Sequence, residues 1–422
     1  MTAPAKQRQR SRQQRALYRR RRLGVLLVVF LAVLLAGWAR LSTETLPDLT
    51  TTRVLASSAM LPGPPPQPDW PTQGQAAVAV AGLGTLESGG TPTPEPIASV
   101  AKIMTAYLIL RDHPIAVGST GFEITISAAD VADLHARQAE NQSTVQVAQD
   151  EVLNEYQLLE ALLIPSGNNI APILAGYDAG SVASFLQKMD ATARELGMTQ
   201  TTYTDPSGFD ATTVSTASDQ VLLARAAMAI PTFVEIVGER SATLPVAGVV
   251  TNFDTLVGTD GLLGVKTGSD STAGGCFVFA DRRTIDGQSV TLFGAVLGQE
   301  VGVRATSILV DAALDASRRL ADSVIAEMTV RTFVPAGTPV LVVDNAQRRQ
   351  VSIVTTSPLT RLGWGGLTIP LSVTIVPPGL HLDKGQQVAT VTALGGSPLQ
   401  TLATATTGMP ALSLGWKLDH LL

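Results

Sequence analysis

The chain has 422 residues, of which 45% are hydrophobic and 15% are charged. This length predicts two or more domains, and this composition excludes a chain that is disordered over long stretches. The single cysteine, Cys276, excludes an internal disulfide. Charge is unevenly placed, because nine of the 30 lysines and arginines and no acid lie in residues 1–22. That leaves 21 basic against 35 acidic residues in the rest of the chain.

The first 39 residues have the pattern of a membrane-targeting segment. The basic tail, residues 1–22, is followed by Leu23–Ala39, which contains no charge. Positive charge before an apolar run predicts that the tail stays in the cytoplasm and that everything after Arg40 lies outside it. A basic tail alone would also suit nucleic acid, but this tail adjoins the apolar run, so no nucleic-acid partner is predicted. Small residues at Gly37 and Ala39 would permit cleavage, so the segment is a transmembrane anchor or a signal segment. The long tail favours the anchor.

Residues 40–72 are predicted to be a linker. Six of the eleven residues in Leu61–Pro71 are prolines, and a proline-rich chain is extended and semi-rigid. We therefore expect this segment to hold the next domain away from a membrane surface.

Residues 73–328 combine strand and helix patterns. A strand pair is predicted at Gln75–Gly89, and a helix at Glu95–Asp112 with Pro96 in its first turn. Further helices follow. Three strand-like runs come next, at Gly261–Gly268, Gly274–Ala280 and Ser289–Gly298, and then a long helix at Val303–Met328. A hairpin turn is predicted at Asp286-Gly287, between the last two strands. This order predicts an α/β (α+β) domain in which helices surround an antiparallel sheet.

Residues 329–422 have a different sequence pattern. Short β-rich runs recur at intervals of about ten residues and are separated by proline and glycine. They predict a separate small all-β domain of sandwich-like architecture.

The helix predicted at Glu95–Asp112 is apolar on almost every side, yet it contains Lys102, three residues after Ser99. A helix without a polar face is normally buried, and residues three apart share a helix face, so the lysine can reach the serine hydroxyl. Burial lowers the pKa of a lysine, and a neutral lysine can act as general base for a serine nucleophile. A Ser-x-x-Lys pattern alone would equally suit a lysine that extends to the surface.

Two further stretches concentrate polar side chains at breaks in apolar segments. Ser166-Gly167-Asn168 is predicted to lie in a tight loop between two helices, where a helix N-cap is the alternative. Lys266-Thr267-Gly268 is predicted to lie at the end of a strand, where a turn with a solvated lysine is the alternative. The three patterns occur in the order Ser-x-x-Lys, Ser-x-Asn, Lys-Thr-Gly, which is the signature of penicillin-interacting serine enzymes.

Around these motifs the chain resembles the low-molecular-mass penicillin-binding proteins that are serine-type D-alanyl-D-alanine carboxypeptidases. The resemblance covers about residues 75–325 and rests on five segments: ASVAKIMTAY, LLIPSGNNIAPILA, ARELGMTQTTYTDPSGFD, STASDQVLLAR and GLLGVKTGSDSTAGGCFVFA. The chain departs from the family pattern at Ala101, Asn169 and Ser269, where the family usually has Thr, Asp and often His. None of these departures removes a group that the mechanism requires. The resemblance implies a β-lactamase/D,D-peptidase-like fold for residues 73–328.

The resemblance also implies roles for individual residues. Ser99 would attack the carbonyl between two terminal D-alanines, Lys102 would take its proton, and Ser166 would relay a proton to the leaving amine. The backbone N–H groups of Ser99 and Ser269 would form the oxyanion hole. The implied substrate-binding set is Asn168, Lys266, Thr267, Gly268, Ser269 and Arg304. The expected partners are a peptidoglycan stem peptide, β-lactam antibiotics as covalent inhibitors, and the membrane.

No cofactor or metal is expected, because the sequence has no His-Glu-x-x-His or Cys-His cluster. Three alternatives remain. A D,D-endopeptidase uses the same chemistry. A β-lactamase-like hydrolase shares the nucleophile and base but needs a glutamate after the second motif, and no convincing match follows Asn168. An inactive wall-binding scaffold is disfavoured because the motif residues are intact.

Overall fold

The structure is a computed structural model that describes residues 3–43, 49–87, 93–303, 305–395, 398–413, 415–416 and 419. Its helices are α1 (Ala3–Thr43), α2 (Lys102–Asp112), α3 (Ala128–Ala139), α4 (Glu155–Leu163), α5 (Ile170–Ala179), α6 (Val182–Glu195), α7 (Ala217–Ala227), α8 (Pro231–Val237) and α9 (Thr306–Ala326), with a 3₁₀ helix at Ala98–Ala101.

The strands fall into two groups. The first is β1 (Thr50–Arg53), β2 (Ser58–Met60), β3 (Gln75–Val80), β4 (Gly84–Glu87), β5 (Glu95–Pro96), β6 (Glu123–Thr125), β7 (Val152–Asn154), β8 (Val214–Ser215), β9 (Ser241–Leu244), β10 (Gly248–Thr251), β11 (Leu262–Asp270), β12 (Gly274–Ile285) and β13 (Gln288–Gln299). The second is β14 (Thr329–Val334), β15 (Pro339–Asp344), β16 (Gln350–Thr355), β17 (Leu359–Gly363), β18 (Thr368–Ile375), β19 (Gln387–Ala393) and β20 (Leu399–Ala405).

A five-stranded antiparallel sheet in the order β11-β12-β13-β3-β4 forms the centre of the first domain. Side chains of β12 alternate between two cores, as the two-residue period of a strand requires. Cys276, Val278 and Ala280 pack with the helices that include α2 and α7. Phe277 and Phe279 pack on the opposite face with α9. The sheet is therefore covered on both faces, and the predicted helix-covered antiparallel sheet is confirmed.

Helix α2 is apolar on all sides because it lies at the centre of the helical layer, where it contacts α4, α5, α6, α7 and α8. The predicted helix over 95–112 is too long at its start. Pro96 pairs with Val214 in a short ladder, and Ala98 has φ +46°, so the α-helix begins only at Lys102. The proline lies in a strand, not at a first helical position.

The predicted hairpin at Asp286-Gly287 is confirmed. Ile285 pairs with Gln288 across the turn, and both turn residues have positive φ, +49° and +75°. These angles are typical of a two-residue turn that matches strand twist. The long helix predicted at 303–328 is also present, as α9.

From residue 329 to 413 the described part of the C-terminal region consists of strands and their connections, as predicted, and residues 415, 416 and 419 are helical. Its main sheet has seven strands in the order β1-β15-β16-β20-β19-β18-β2, and β14 pairs with β17 beside it. The two edge strands of the main sheet come from residues 50–60, which the sequence predicted to be linker. Thr50–Arg53 pairs with Asp344–Leu341, and Ser58–Met60 pairs with Pro370–Thr368. The spacer prediction is therefore wrong for these residues, because they cover strand edges that would otherwise be unpaired.

The proline-rich stretch Leu61–Pro71 packs against both domains. Leu61 is 1% exposed and lies in a core shared by the sheet and α9. Its backbone N–H donates to the Leu367 carbonyl at 2.9 Å. Further along, the N–H of Asp69 donates to Ser323 Oγ on α9 at 2.9 Å. This stretch thus joins the domains instead of separating them.

Helix α1 contains the stretch Gln14–Arg40, which is long and apolar enough to cross a membrane. Its described side chains are almost all exposed, which is consistent with lipid as the surrounding medium.

Candidate active site

Ser99 lies in the 3₁₀ helix immediately before α2, where strand β11 passes close to the backbone. A Cβ atom added to Gly268 would lie 3.0 Å from the backbone nitrogens of Ser99 and Val100 and 2.9 Å from the Ile97 carbonyl oxygen. No side chain fits there, so glycine is required for β11 to approach Ser99. The two motifs that contain these residues are therefore in direct contact.

Lys102 is fully buried, and its amine has three partners. Nζ lies 2.7 Å from Ser99 Oγ, 2.6 Å from Asn168 Oδ1 and 2.9 Å from the Ser207 carbonyl oxygen. Burial holds the pKa of Lys102 well below its usual value, and the nearby charge of Lys266 lowers it further. The charge of Asp205 acts in the opposite direction. When the amine is neutral, it can accept the Ser99 hydroxyl proton, which is the arrangement of a nucleophile with its base.

The second motif lies in the loop between α4 and α5, as predicted. The Gly167 N–H donates to the Ala161 carbonyl and the Asn168 N–H donates to the Ser143 carbonyl, so the loop is held at both sides. Ser166 has φ +62° and is 3% exposed. Within the described residues its hydroxyl oxygen has no hydrogen-bond partner, so it can bind a reacting group.

The Asn168 amide bridges two side chains. Its Oδ1 accepts from Lys102, and its Nδ2 donates to Gln142 Oε1 at 2.9 Å. Gln142 Oε1 also accepts from Arg137 Nη1 at 3.2 Å. The amide thus orients the buried amine.

The third motif lies in the middle of strand β11, not at its end as predicted. The strand continues to Asp270 because Lys266, Thr267, Gly268 and Ser269 pair with Val278, Phe277, Cys276 and Gly275 on β12. Lys266 is 2% exposed, and its Nζ donates to the Thr267 carbonyl at 3.0 Å. Burial lowers the pKa of Lys266 to about 7, against the opposing effect of Asp254.

Asp205 organises the loop that holds Lys102, although no motif singled it out. Its carboxylate accepts from the N–H and Oγ of Ser207 at 3.0 and 2.6 Å and from the Gly208 N–H at 3.1 Å. These bonds fix the Ser207 carbonyl that accepts from Lys102. The sequence Asp-Pro-Ser-Gly is a typical signal for a turn in which an aspartate binds its own backbone, and that signal could have identified it.

Arg304 is outside the described residues. Cys276 is fully buried, and burial raises the pKa of its thiol to about 12, so it is unreactive. Among the described residues, no group of three His, Cys, Asp or Glu side chains could hold a metal ion.

A serine hydroxyl in contact with a buried lysine of lowered pKa has the chemistry that serine acyl transfer requires. The sequence profile of the D-alanyl-D-alanine carboxypeptidase family matches residues 84–300, and the chain belongs to this family. Its activity class is therefore that of a serine-type D-Ala-D-Ala carboxypeptidase, a hydrolase.

Known proteins of similar sequence include D-alanyl-D-alanine carboxypeptidases and endopeptidases. D-alanyl-D-alanine carboxypeptidase DacB2 of Mycobacterium tuberculosis is 34% identical over 228 residues, which are 52% of this chain and 74% of that protein. The D-alanyl-D-alanine carboxypeptidase of Streptomyces sp. strain K15 is 31% identical over 230 residues, covering 50% and 76%. A D-alanyl-D-alanine endopeptidase of Escherichia coli is 31% identical over 149 residues, covering 35% and 43%.

Two solved structures support the fold. The Streptomyces K15 DD-transpeptidase has a TM-score of 0.51 at 27% identity, covering 60% of this chain and 98% of that one. Penicillin-binding protein 5 of Haemophilus influenzae has a TM-score of 0.54 at 20% identity, covering 82% of this chain and all of that one. The predicted β-lactamase/D,D-peptidase-like fold with a further β-region is confirmed.

Proposed function

We propose that this protein removes the terminal D-alanine from peptidoglycan stem pentapeptides through an acyl-enzyme on Ser99. The observation that carries this proposal is the 2.7 Å contact between Ser99 Oγ and the buried amine of Lys102. A buried amine of lowered pKa is a base suited to neutral pH. Family membership supports the substrate class.

In the proposed reaction, Ser99 Oγ bonds to the carbonyl carbon of the penultimate D-alanine while Lys102 takes the hydroxyl proton. The peptide C–N bond breaks when Ser166 relays the proton held by Lys102 to the leaving amine, and free D-alanine departs. Water then attacks the ester while Lys102 takes one of its protons, and Lys102 returns this proton to Ser99 Oγ as the ester bond breaks and the shortened peptide leaves. No cofactor is needed, because these side chains supply the nucleophile, the base and the proton relay.

We assign the substrate carboxylate to Lys266 and Thr267, with Arg304 as a further candidate. A buried cation with a pKa near 7 gains an incoming anion as partner, which favours its charged form. Asn168 would face the substrate backbone. The N–H groups of Ser99 and Ser269 would stabilise the negative charge on the carbonyl oxygen in the transition state.

We further propose that α1 tethers the protein to the cell membrane, with residues 1–22 in the cytoplasm and the catalytic domain outside. The supporting observations are the candidate membrane span within Gln14–Arg40, whose uncharged part is Leu23–Ala39, and a family that acts on an extracytoplasmic polymer. The proposed domains are residues 73–328 for catalysis and 329–422 for the β-domain, with residues 50–60 added to the latter by strand pairing.

The test is an intact-mass time course of the full chain in detergent with benzylpenicillin, beside Ser99→Ala. Ser181→Ala is the matched control, because Ser181 only caps α6. We expect the wild type and Ser181→Ala to gain one penicillin and keep it for minutes, and Ser99→Ala to gain none. Turnover of penicillin without a stable adduct would favour a β-lactamase-like hydrolase, and neither labelling nor turnover would favour a scaffold.

The second readout is product release. D-alanine should be released from a synthetic peptide that ends in D-Ala-D-Ala, and a cross-linked muropeptide dimer should stay intact. Cleavage of the dimer without D-alanine release would replace the carboxypeptidase proposal with an endopeptidase.

A further inference from the structure

The two ends of the seven-stranded sheet differ in their surroundings. At one end, Leu399 at the start of β20 lines a cavity together with Arg361 and Leu362 of the neighbouring β14-β17 pair and with Val80 and Leu83 of the catalytic domain. This end therefore faces the catalytic domain. The opposite end, here called the distal end, carries the turns 344–350 and 375–387 and the residue at which the chain enters the sheet, Thr50.

Strand register places these features together. Thr50 pairs with Asp344, Asp344 pairs with Gln350, and Ile375 pairs with Ala389. Because every neighbouring pair in the sheet is antiparallel, the start of β1, the end of β15 and the end of β18 lie at the same end of the sheet, measured along the strand direction. All three are at the distal end.

Chain length limits the distance of the distal end from the membrane. Helix α1 ends at Thr43, and β1 begins at Thr50. Seven residues span at most about 25 Å when fully extended. The distal end is therefore held near the point where α1 would leave the bilayer.

The distal end has the chemistry of a lipid-facing surface. The loop Ile375–Leu380 exposes three apolar side chains: Ile375 is 39% exposed, Val376 48% and Leu380 46%. Its backbone is held by the Val376 N–H, which donates to the Val388 carbonyl at 2.7 Å. Three exposed bases stand in the adjoining turns, Arg348, Arg349 and Lys384, against the acids Asp344 and Asp383. This local excess of positive charge contrasts with the acidic remainder of the chain.

We propose that the distal end docks on the outer leaflet of the bilayer that α1 crosses, with loop Ile375–Leu380 in the interface and the three bases toward anionic headgroups. Apolar side chains at the headgroup boundary with flanking bases are typical of interfacial binding. This inference rests on the membrane tether proposed above, but not on the catalytic chemistry.

Docking would also orient the active site. Ser269 pairs with Gly275, and Gly275 with Gln299, so Ser269 lies near the last residue of β13. The cavity toward the β-domain is lined by Ser289 and Thr291, near the first residues of the same strand. The active site and the β-domain are therefore at opposite ends of the catalytic sheet, and docking would point the active site away from the bilayer.

The test uses the full chain reconstituted in vesicles of equal phosphatidylcholine and phosphatidylglycerol. Val376→Cys carries an environment-sensitive fluorophore, and Val249→Cys on β10 is the control because Val249 is 70% exposed in the catalytic domain. The native Cys276 is fully buried, so it should stay unlabelled. We expect brominated lipid to quench the label at 376 by about twofold or more and to leave the label at 249 unchanged.

Equal quenching at both positions, or none at 376, would overturn the docking proposal. Substitution of Arg348, Arg349 and Lys384 by glutamate should reduce quenching at 376 in these vesicles. Undiminished quenching would remove the electrostatic part of the proposal. Penicillin acylation of each labelled protein is measured in parallel. Quenching without acylation would refute the proposed catalysis alone, and acylation without quenching would refute the docking alone.

Discussion

Replacement of Asp205 by asparagine should move the pH dependence of acylation in a direction that a general loss of structure would not. The Asp205 carboxylate orients the Ser207 carbonyl toward Lys102, and its charge favours the ammonium form of Lys102. Asp205→Asn removes that charge, so the pKa of Lys102 falls. Because the base must be neutral, the acidic limb of the acylation rate should move to lower pH.

Stability should fall in the same variant. The Asp205 carboxylate accepts at least three hydrogen bonds from Ser207 and Gly208, and an asparagine oxygen cannot replace both carboxylate oxygens. Hydrogen bonds to charged groups contribute about 1.5–3 kcal/mol each. The loss of one or two should lower the free energy of unfolding by about 1.5–6 kcal/mol. The maximal rate should also fall, because the Ser207 carbonyl is held less firmly.

The assay is the second-order rate of benzylpenicillin acylation between pH 5 and 9, in steps of about half a unit, beside a denaturant melt. Asp210→Asn is the matched control, because Asp210 lies in the same loop, is exposed, and bonds mainly to Thr212. The control should keep the wild-type pH profile. An acidic limb that stays in place or moves to higher pH in Asp205→Asn would refute the assignment of Lys102 as the base.

Three further predictions address the strand, the second lysine and the proline-rich stretch. Gly268→Ala should lower the acylation rate by about 100-fold, because its Cβ meets the Ser99 nitrogen. A rate close to the wild type would mean that β11 can move away. Since the folded pKa of Lys266 is depressed from 10.5 to about 7, the unfolded chain binds more protons between these values, so unfolding free energy should rise with pH across that window. In denaturant melts at a series of pH values, the unfolding free energy of Lys266→Met should rise less with pH than that of the wild type. Equal slopes for the two proteins would contradict a depressed pKa for Lys266. Leu61→Ala should lower the unfolding free energy by about 2–5 kcal/mol, whereas Pro64→Ala should change it little because Pro64 is exposed. If the two variants have the same unfolding free energy, the spacer interpretation would be restored.

The motifs predicted the chemistry better than they predicted the local structure. Ser99, Lys102, Asn168 and Lys266 were predicted from residue type and order, and the structure places the Lys102 amine against Ser99 and Asn168 and near the charge of Lys266. Periodicity placed Lys266 at a strand end because Gly268 and the polar residues after it have low strand propensity. Pairing with β12 and close approach to the 3₁₀ helix overrode that local preference.

Long-range pairing explains the larger error. Residues 50–60 contain two strands of three and four residues whose partners lie far along the chain. No window of sequence contains both members of such a pair, so a proline count dominated the prediction. The same limit applies to Gln142, which supports Asn168 from a loop 26 residues away and has no motif of its own.

The contribution of β1 and β2 to the last sheet affects how the chain must fold. Thr50 and Asp344 are 294 positions apart, so both edge strands are synthesised long before their partners exist. Closing so long a loop is slow and entropically costly, and the β-domain can be completed only after the catalytic domain. A fragment that begins at residue 73 would lack both edge strands and Leu61. It would leave β15 and β18 as open edges prone to aggregation.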